Sequence, residues 1–287
     1  MEITVHRESG IVEKCRQDRR KYKMKIGFIG CGNMGQAMMW GMLSSGKVKS
    51  SEVLVSTKTL ASKVNLQKKY GVEVAEKNVE VAMISDVIFL AVKPQFYEEV
   101  INEIKPALWE NKILVSIAPG KTLEWLEEKV GKRMKIVRAM PNTPSMVKEG
   151  MTGICGNDLV TASEFDMICK LFGTFSKTEM VPEHIMDVVT AVSGSAPAYV
   201  FMFIEAMADA AVEGGMQRAQ AYTFAAQAVL GSAKMVLETD MHPGQLKDMV
   251  CSPAGTTIQA VRVLEEKGMR GAVMDAMKTC LDKSRNM

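Results

Sequence analysis

From residue 25 onward, short apolar runs alternate with stretches of helical spacing. Residues 25–29 (KIGFI), 53–56 (VLVS) and 72–74 (VEV) predict strands, with helices over 36–43 and about 61–70. Segment 86–92 (DVIFLAV) is the clearest strand, an unbroken β-rich run without polar alternation. Such a run is buried on both faces, as strands of parallel sheets are. Residues 112–118 (KILVSIA) and 135–140 (KIVRAM) repeat that form around a helix near 122–130. Strands alternating with helices predict right-handed βαβ units and a doubly wound, mostly parallel sheet.

Past about residue 181 the strand signals stop, and segments 184–192, 198–213, 219–237, 243–250 and 256–266 carry helical spacing. The most apolar stretch, 196–212, contains Glu205 and Asp209. It reads as too short and too charged to span a membrane, and so as a helix buried in a core or between subunits.

Composition narrows the function classes. A chain of 287 residues holds one large domain or two ordinary ones. Its 47% apolar and 24% charged residues exclude wholesale disorder. Of 36 basic and 33 acidic side chains, seven and four lie in residues 1–23, leaving 29 of each sign in the rest. A neutral body argues against nucleic acid, which needs a basic surface. Six cysteines without a C-x-x-C pair fit free thiols in a reducing compartment, hence the cytoplasm. The Arg-rich residues 1–23 suggest organellar import, but Glu2, Glu8, Glu13 and Asp18 are unfavourable for a transit peptide. A tail or an alternative start before Met24 is the preferred reading.

The chemistry begins directly after the first strand. Gly30-Cys31-Gly32-Asn33-Met34-Gly35 fits G-x-G-x-x-G and lies where a strand gives way to a helix, the context the pattern requires. Gly30 permits the turn, Gly32 the approach of a pyrophosphate, and Gly35 close helix–strand packing. The helix start offers free N–H groups and a positive dipole end to phosphates. The second strand ends Ser56-Thr57-Lys58, with no carboxylate to accept a ribose 2′-hydroxyl. Two hydroxyls and a cation suit a 2′-phosphate, so NADPH is favoured over NADH. A solvated loop charge at Lys58 is the bland alternative. Three later strand ends also carry small residues and prolines: Ala91-Val92-Lys93-Pro94, Ala118-Pro119-Gly120, and Met140-Pro141-Asn142. Ala91 and Ala118 leave room for a ribose or nicotinamide, and Asn142 suits a carboxamide; turn chemistry alone is the competing explanation. Asn78 completes the candidate cofactor set.

No histidine, serine or metal-ligand constellation for hydrolysis or phosphoryl transfer is present. Two segments are too unusual for packing alone. Residues 193–199 (SGSAPAY) open a helix with small residues and a proline, facing the cofactor or another helix. Residues 252–257 (SPAGTT) join two helices with hydroxyls and a glycine, where free N–H groups suit a carboxylate.

IGCGNMGQA (29–37), LAVKPQ (90–95), VSIAPG (115–120), MPNTP (140–144), SGSAPAY (193–199) and HPGQLKDMVCSPAGTTIQAV (242–261) together resemble the pyrroline-5-carboxylate reductase family, from Met24 onward. The usual Gly-Gly of the last block is Ala254-Gly255 here. The resemblance implies NAD(P)H-dependent reduction of Δ1-pyrroline-5-carboxylate to L-proline on a Rossmann-type domain over 24–181 and an all-helical substrate and dimerisation domain over 182–287. It implies that Ser252, Gly255, Thr256 and Thr257 hold the substrate, with Thr257 near the ring nitrogen, and that Glu183 and Asp240 lie near the active site. It also implies a homodimer of interleaved C-terminal helices, assembled further into a decamer. A protonated cyclic imine is already electrophilic, so a missing catalytic histidine is expected.

A β-hydroxyacid dehydrogenase shares this plan, but its catalytic lysine has no counterpart, since no lysine occurs between Lys177 and Lys234. A deazaflavin-dependent NADP reductase lacks the long C-terminal block. A non-catalytic NADPH sensor would not need residues 252–257.

Overall fold

The computed structural model describes residues 24–286, so the reading of residues 1–23 as a tail lies outside the described residues. Eight strands form one sheet in the order β3-β2-β1-β4-β5-β6-β7-β8. β1 (Ile26–Ile29), β2 (Val53–Ser56), β3 (Glu73–Val74), β4 (Val87–Leu90), β5 (Ile113–Ser116) and β6 (Lys135–Met140) are all parallel. The helices α1 (Asn33–Ser44), α2 (Leu60–Tyr70), α3 (Asn78–Ile84), α4 (Tyr97–Ile104) and α5 (Leu123–Val130) fall between them. Every residue of β1, β2, β4 and β5 is buried, because helices cover both faces.

Successive side chains leave a strand on opposite faces, which divides the apolar runs between two cores. Phe28, Val53, Val55, Phe89 and Val115 join Met38, Met39 and Met42 of α1 on one face. Ile29, Leu54, Ile88, Leu90 and Leu114 join Ile101 and Ile104 of α4 on the other. Phe28 stacks on Phe89 with centroids 4.9 Å apart. On the α1 face, a Cβ added at Gly41 would sit 2.4 Å from Phe175 Cβ. Alanine gains about 1 kcal/mol over glycine in a helix, but forcing it in here costs about 1–3 kcal/mol of overpacking. Gly41→Ala is therefore expected to lower stability by up to about 2 kcal/mol in urea unfolding, against the helix-propensity trend.

Two strands were not anticipated from the hydropathy pattern. β7 (Gly150–Gly156) runs antiparallel to β6, and β8 (Ser176–Met180) is parallel to β7, with α6 (Ala162–Phe172) between them. β7 contains three glycines and β8 is mostly polar. Neither carries the continuous apolar signature of the central strands; β8 is tolerated as the sheet's edge.

A second compact unit begins at Asp187. It contains α8 (Ala196–Glu213), α9 (Arg218–Thr239), α10 (Pro243–Val250), α11 (Thr256–Glu266) and α12 (Met269–Arg285). The short α7 (Met186–Val189) straddles the boundary and runs into a π-helical turn, Thr190–Gly194, so the helix expected over 184–192 is broken into pieces. α12 returns to this turn: Ser284 donates to Asp187 at 2.7 Å, and the Cys280 thiol bonds Ser195 at 3.1 Å. The helical run Glu183–Glu213 is long and apolar enough to cross a membrane by length and composition only; its unbroken α-helical part, Ala196–Glu213, has 18 residues. Among the described residues this helix is largely uncovered: Phe201 is 61% and Met202 68% exposed.

Candidate functional site

The strand order reverses between β1 and β4, and such a switch point leaves a crevice beyond the carboxyl ends of the strands. The glycine turn lies there. Gly30 has φ +78°, and a Cβ on it would strike Val92 Cγ1 at 2.5 Å. A Cβ on Gly35 would meet Ala91 Cβ at 3.2 Å, so α1 and the end of β4 approach closely. Around Gly32 there is open space to 4 Å. Gly32 begins α1 with no side-chain cap, leaving the N–H groups at that helix start for a ligand. This is a cradle that a side chain at 32 would fill, and it fits a dinucleotide pyrophosphate.

At the end of β2, Ser56 is buried and its hydroxyl donates to Asn78 Oδ1 at 2.7 Å; Asn78 Nδ2 in turn donates to Glu103 at 2.6 Å. Both side chains, expected to contact cofactor, thus form a hydrogen-bonded chain at the end of β2. Thr57 is half-buried and Lys58 exposed. Lys58 Nζ stands 5.8 Å from the centroid of the Phe96 ring. That contact links the loop after β2 to the one after β4, and no carboxylate lies between Val53 and Leu60.

Ala91 and Val92 are half-buried, Lys93 is exposed, and Pro94 starts a 3-10 turn. Ala118 is buried. Asn142, expected to meet a carboxamide, is buried, and its Oδ1 accepts from Met151 N at 2.9 Å. It fastens the loop after β6 to β7, a strand that was not anticipated. Tyr97 escaped notice because it reads as an apolar helix position. It is fully buried, and burial raises its phenol pKa to about 12, so the group stays a neutral hydrogen-bonding hydroxyl.

Glu183, expected near the substrate, belongs to the sheet unit. Its Oε1 accepts from Leu123 N at 2.6 Å and from the buried Arg138 guanidinium at 3.1 Å. It therefore serves the first turn of α5 and a buried cation. Asp240 is exposed and ends α9 in the left-handed region, φ 53°.

In the helical unit, 193–199 face another helix through Cys280 and Ser195. Burial and the neighbouring Cys280 thiol raise the Tyr199 pKa. The bend 252–255 is closed by Gly255 N donating to Ser252 O at 3.0 Å. A Cβ on Gly255 would fall 2.3 Å from Ser252 Oγ, so a side chain there would push the Ser252 hydroxyl out of the bend. Gly255 starts α11 without a side-chain cap, leaving the first-turn N–H groups and the Thr256 and Thr257 hydroxyls at the helix start. Ala254 has φ +56°, a conformation that costs a non-glycine residue about 1–2 kcal/mol. Ala254→Gly is expected to relieve that strain, raising stability by about 0.5–1 kcal/mol after glycine's own entropy cost; the urea midpoint measures it.

Comparison with known proteins agrees with both halves. Residues 183–287 match the pyrroline-5-carboxylate reductase dimerisation family, and residues 25–120 match the coenzyme F420-dependent NADP oxidoreductase family. The chain is 54% identical over 263 residues to the pyrroline-5-carboxylate reductase of Escherichia coli (strain K12), covering 92% of this chain and 98% of that one. It is 43% identical to the Methanosarcina acetivorans enzyme of the same name, covering 92% and 97%. The crystal structure of Plasmodium falciparum pyrroline carboxylate reductase with NADP bound superposes with a TM-score of 0.85 at 34% identity, covering 92% and 98%.

Proposed function

The chain belongs to the pyrroline-5-carboxylate reductase family and is an NAD(P)H-dependent oxidoreductase that reduces pyrroline-5-carboxylate to L-proline; on that premise we propose how its residues divide the task. Bound NADPH supplies the hydride that converts the C=N bond to CH–NH.

Gly30, Gly32, Asn33, Met34 and Gly35 hold the pyrophosphate through backbone N–H groups and the α1 dipole. Thr57 and Lys58 take the 2′-phosphate. Ala91, Val92, Lys93, Pro94 and Ala118 line the nicotinamide half. Ser252, Gly255 and Thr256 bind the substrate carboxylate at the start of α11, where free N–H groups favour an anion. The Thr257 hydroxyl bonds the ring nitrogen. Because the protonated imine is already electrophilic, orientation supplies much of the rate. The dinucleotide is held by the sheet unit, which runs to Met186 rather than ending at residue 181, and the substrate carboxylate and the second copy by the helical unit that begins at Asp187.

The helical domain is a dimerisation domain. In our reading its exposed apolar faces, Phe201 and Met202 among them, interleave with a second copy, and dimers assemble into a decamer. Five free thiols among the described residues fit a cytoplasmic location.

The observation that carries the reading is the combination, in one chain, of the uncapped glycine turn before α1 and the hydroxyl-bearing bend before α11. The test is consumption of NADPH with pyrroline-5-carboxylate, repeated with NADH. Turnover with NADPH in excess of NADH supports the assignment; no turnover with either overturns it.

A further inference from the structure

Tyr97 opens α4, yet its hydroxyl lies at the carboxyl ends of two strands. It donates to Leu90 O, the end of β4, at 2.6 Å. It accepts from Ile117 N, just past β5, at 3.2 Å, and from Ser116 Oγ at 3.4 Å. One buried oxygen thus ties together the roots of two loops, 91–94 and 117–120, at a point where the sheet ladder between β4 and β5 has ended.

We propose that Tyr97 is a positioning residue for the dinucleotide, holding the loops after β4 and β5 at the separation that the cofactor's nicotinamide half requires. The proposal rests on the cofactor assignment above. Ala91 and Ala118 are small and bind by shape, so the gap between them is set by whatever holds their backbones. Leu90 C=O and Ile117 N–H are buried polar groups that need a partner. Without the hydroxyl, both must move to find one, and each loop moves separately. The loops that Tyr97 ties are those assigned to the dinucleotide, so the effect is expected in dinucleotide binding.

The experiment compares the full chain with Tyr97→Phe, Ser116→Ala and Ile101→Ala. NADPH dissociation constants come from titration calorimetry, KM values from steady-state rates, and thermal midpoints from calorimetric scans. Tyr97→Phe is expected to raise the NADPH Kd and KM about five- to tenfold, as loss of a buried hydrogen-bonded hydroxyl does, with the KM for pyrroline-5-carboxylate within about twofold. Ser116→Ala gives a smaller rise of the same kind, and decides the matter if Tyr97→Phe does not fold. Ile101→Ala removes a buried side chain from the same helix but leaves the hydroxyl in place. It lowers the thermal midpoint and leaves the NADPH Kd unmoved. An unchanged NADPH Kd in the folded hydroxyl variants, or an equal rise in both KM values, overturns the proposal. Wild-type protein that fails to bind NADPH overturns the cofactor assignment instead, so the two failures are told apart.

Discussion

Thr257→Ala is expected to lower kcat/KM for pyrroline-5-carboxylate by about 100-fold, while the NADPH dissociation constant stays within about twofold. The figure is the lower end of the about 10²–10⁴ that a positioned proton-handling side chain contributes. The lower end applies because the substrate nitrogen needs a hydrogen bond and a fixed orientation more than a proton shuttled at the transition state. Loss of folding does not explain such a drop. Thr257 is only half-buried and sits in the first turn of α11, and alanine is the better helix former by a few tenths of a kcal/mol or more. Thr257→Ser keeps the hydroxyl and is expected to retain most of the activity. Steady-state rates with both variants check this, and unchanged turnover in Thr257→Ala removes the residue from the site.

Lys58→Glu carries the second large effect. Lys58 is exposed at the end of β2 with no carboxylate nearby in sequence, so a charge at this position acts on whatever phosphate the loop receives. A charge-assisted hydrogen bond contributes about 1.5–3 kcal/mol, and reversing the charge adds repulsion to that loss. The ratio of kcat/KM for NADPH over NADH is expected to fall about 100-fold at low salt. The change comes almost wholly from the NADPH side. Because the site is open to solvent, the effect shrinks as salt rises toward a Debye length of about 3 Å at 1 M. A ratio that does not move at low salt contradicts the assignment of Lys58 to the 2′-phosphate.

Where the sequence alone suffices, the cause is punctuation or continuity. α10 and α11 begin where expected because Pro243 and Gly255 mark their starts. β4 and β5 are legible because strands buried on both faces leave no polar position to interrupt the run. The glycine turn is legible because Gly30 has a positive φ where a Cβ would strike Val92, and a Cβ on Gly35 would press on Ala91, while Gly32 keeps the space at the helix start open.

What escaped depends on partners distant in sequence. β7 is a strand because β6 and β8 flank it, and its glycines hide that. α12 has no apolar run, and its pattern predicts nothing until Cys280 and Ser284 meet the turn at 187–195. Ser56, Asn142 and Glu183 are legible as polar, but their partners in the fold, Asn78, Met151, and Leu123 with Arg138, are 9 to 60 residues away in sequence. Tyr97 lies 20 residues from Ile117, and only the fold brings its hydroxyl there. The apolar face of α8 is legible as apolar; that the described residues leave it uncovered is not, since a core helix and an interface helix have the same composition.

The most direct test of the whole account follows the hydrogen itself. The full chain is incubated with pyrroline-5-carboxylate and NADPH carrying deuterium at both positions of the reactive nicotinamide carbon, and the proline formed is examined by mass spectrometry and NMR. One deuterium per proline, on the ring carbon bonded to nitrogen that does not carry the carboxylate, is the predicted result. Proline without the label, or no proline at all, contradicts it.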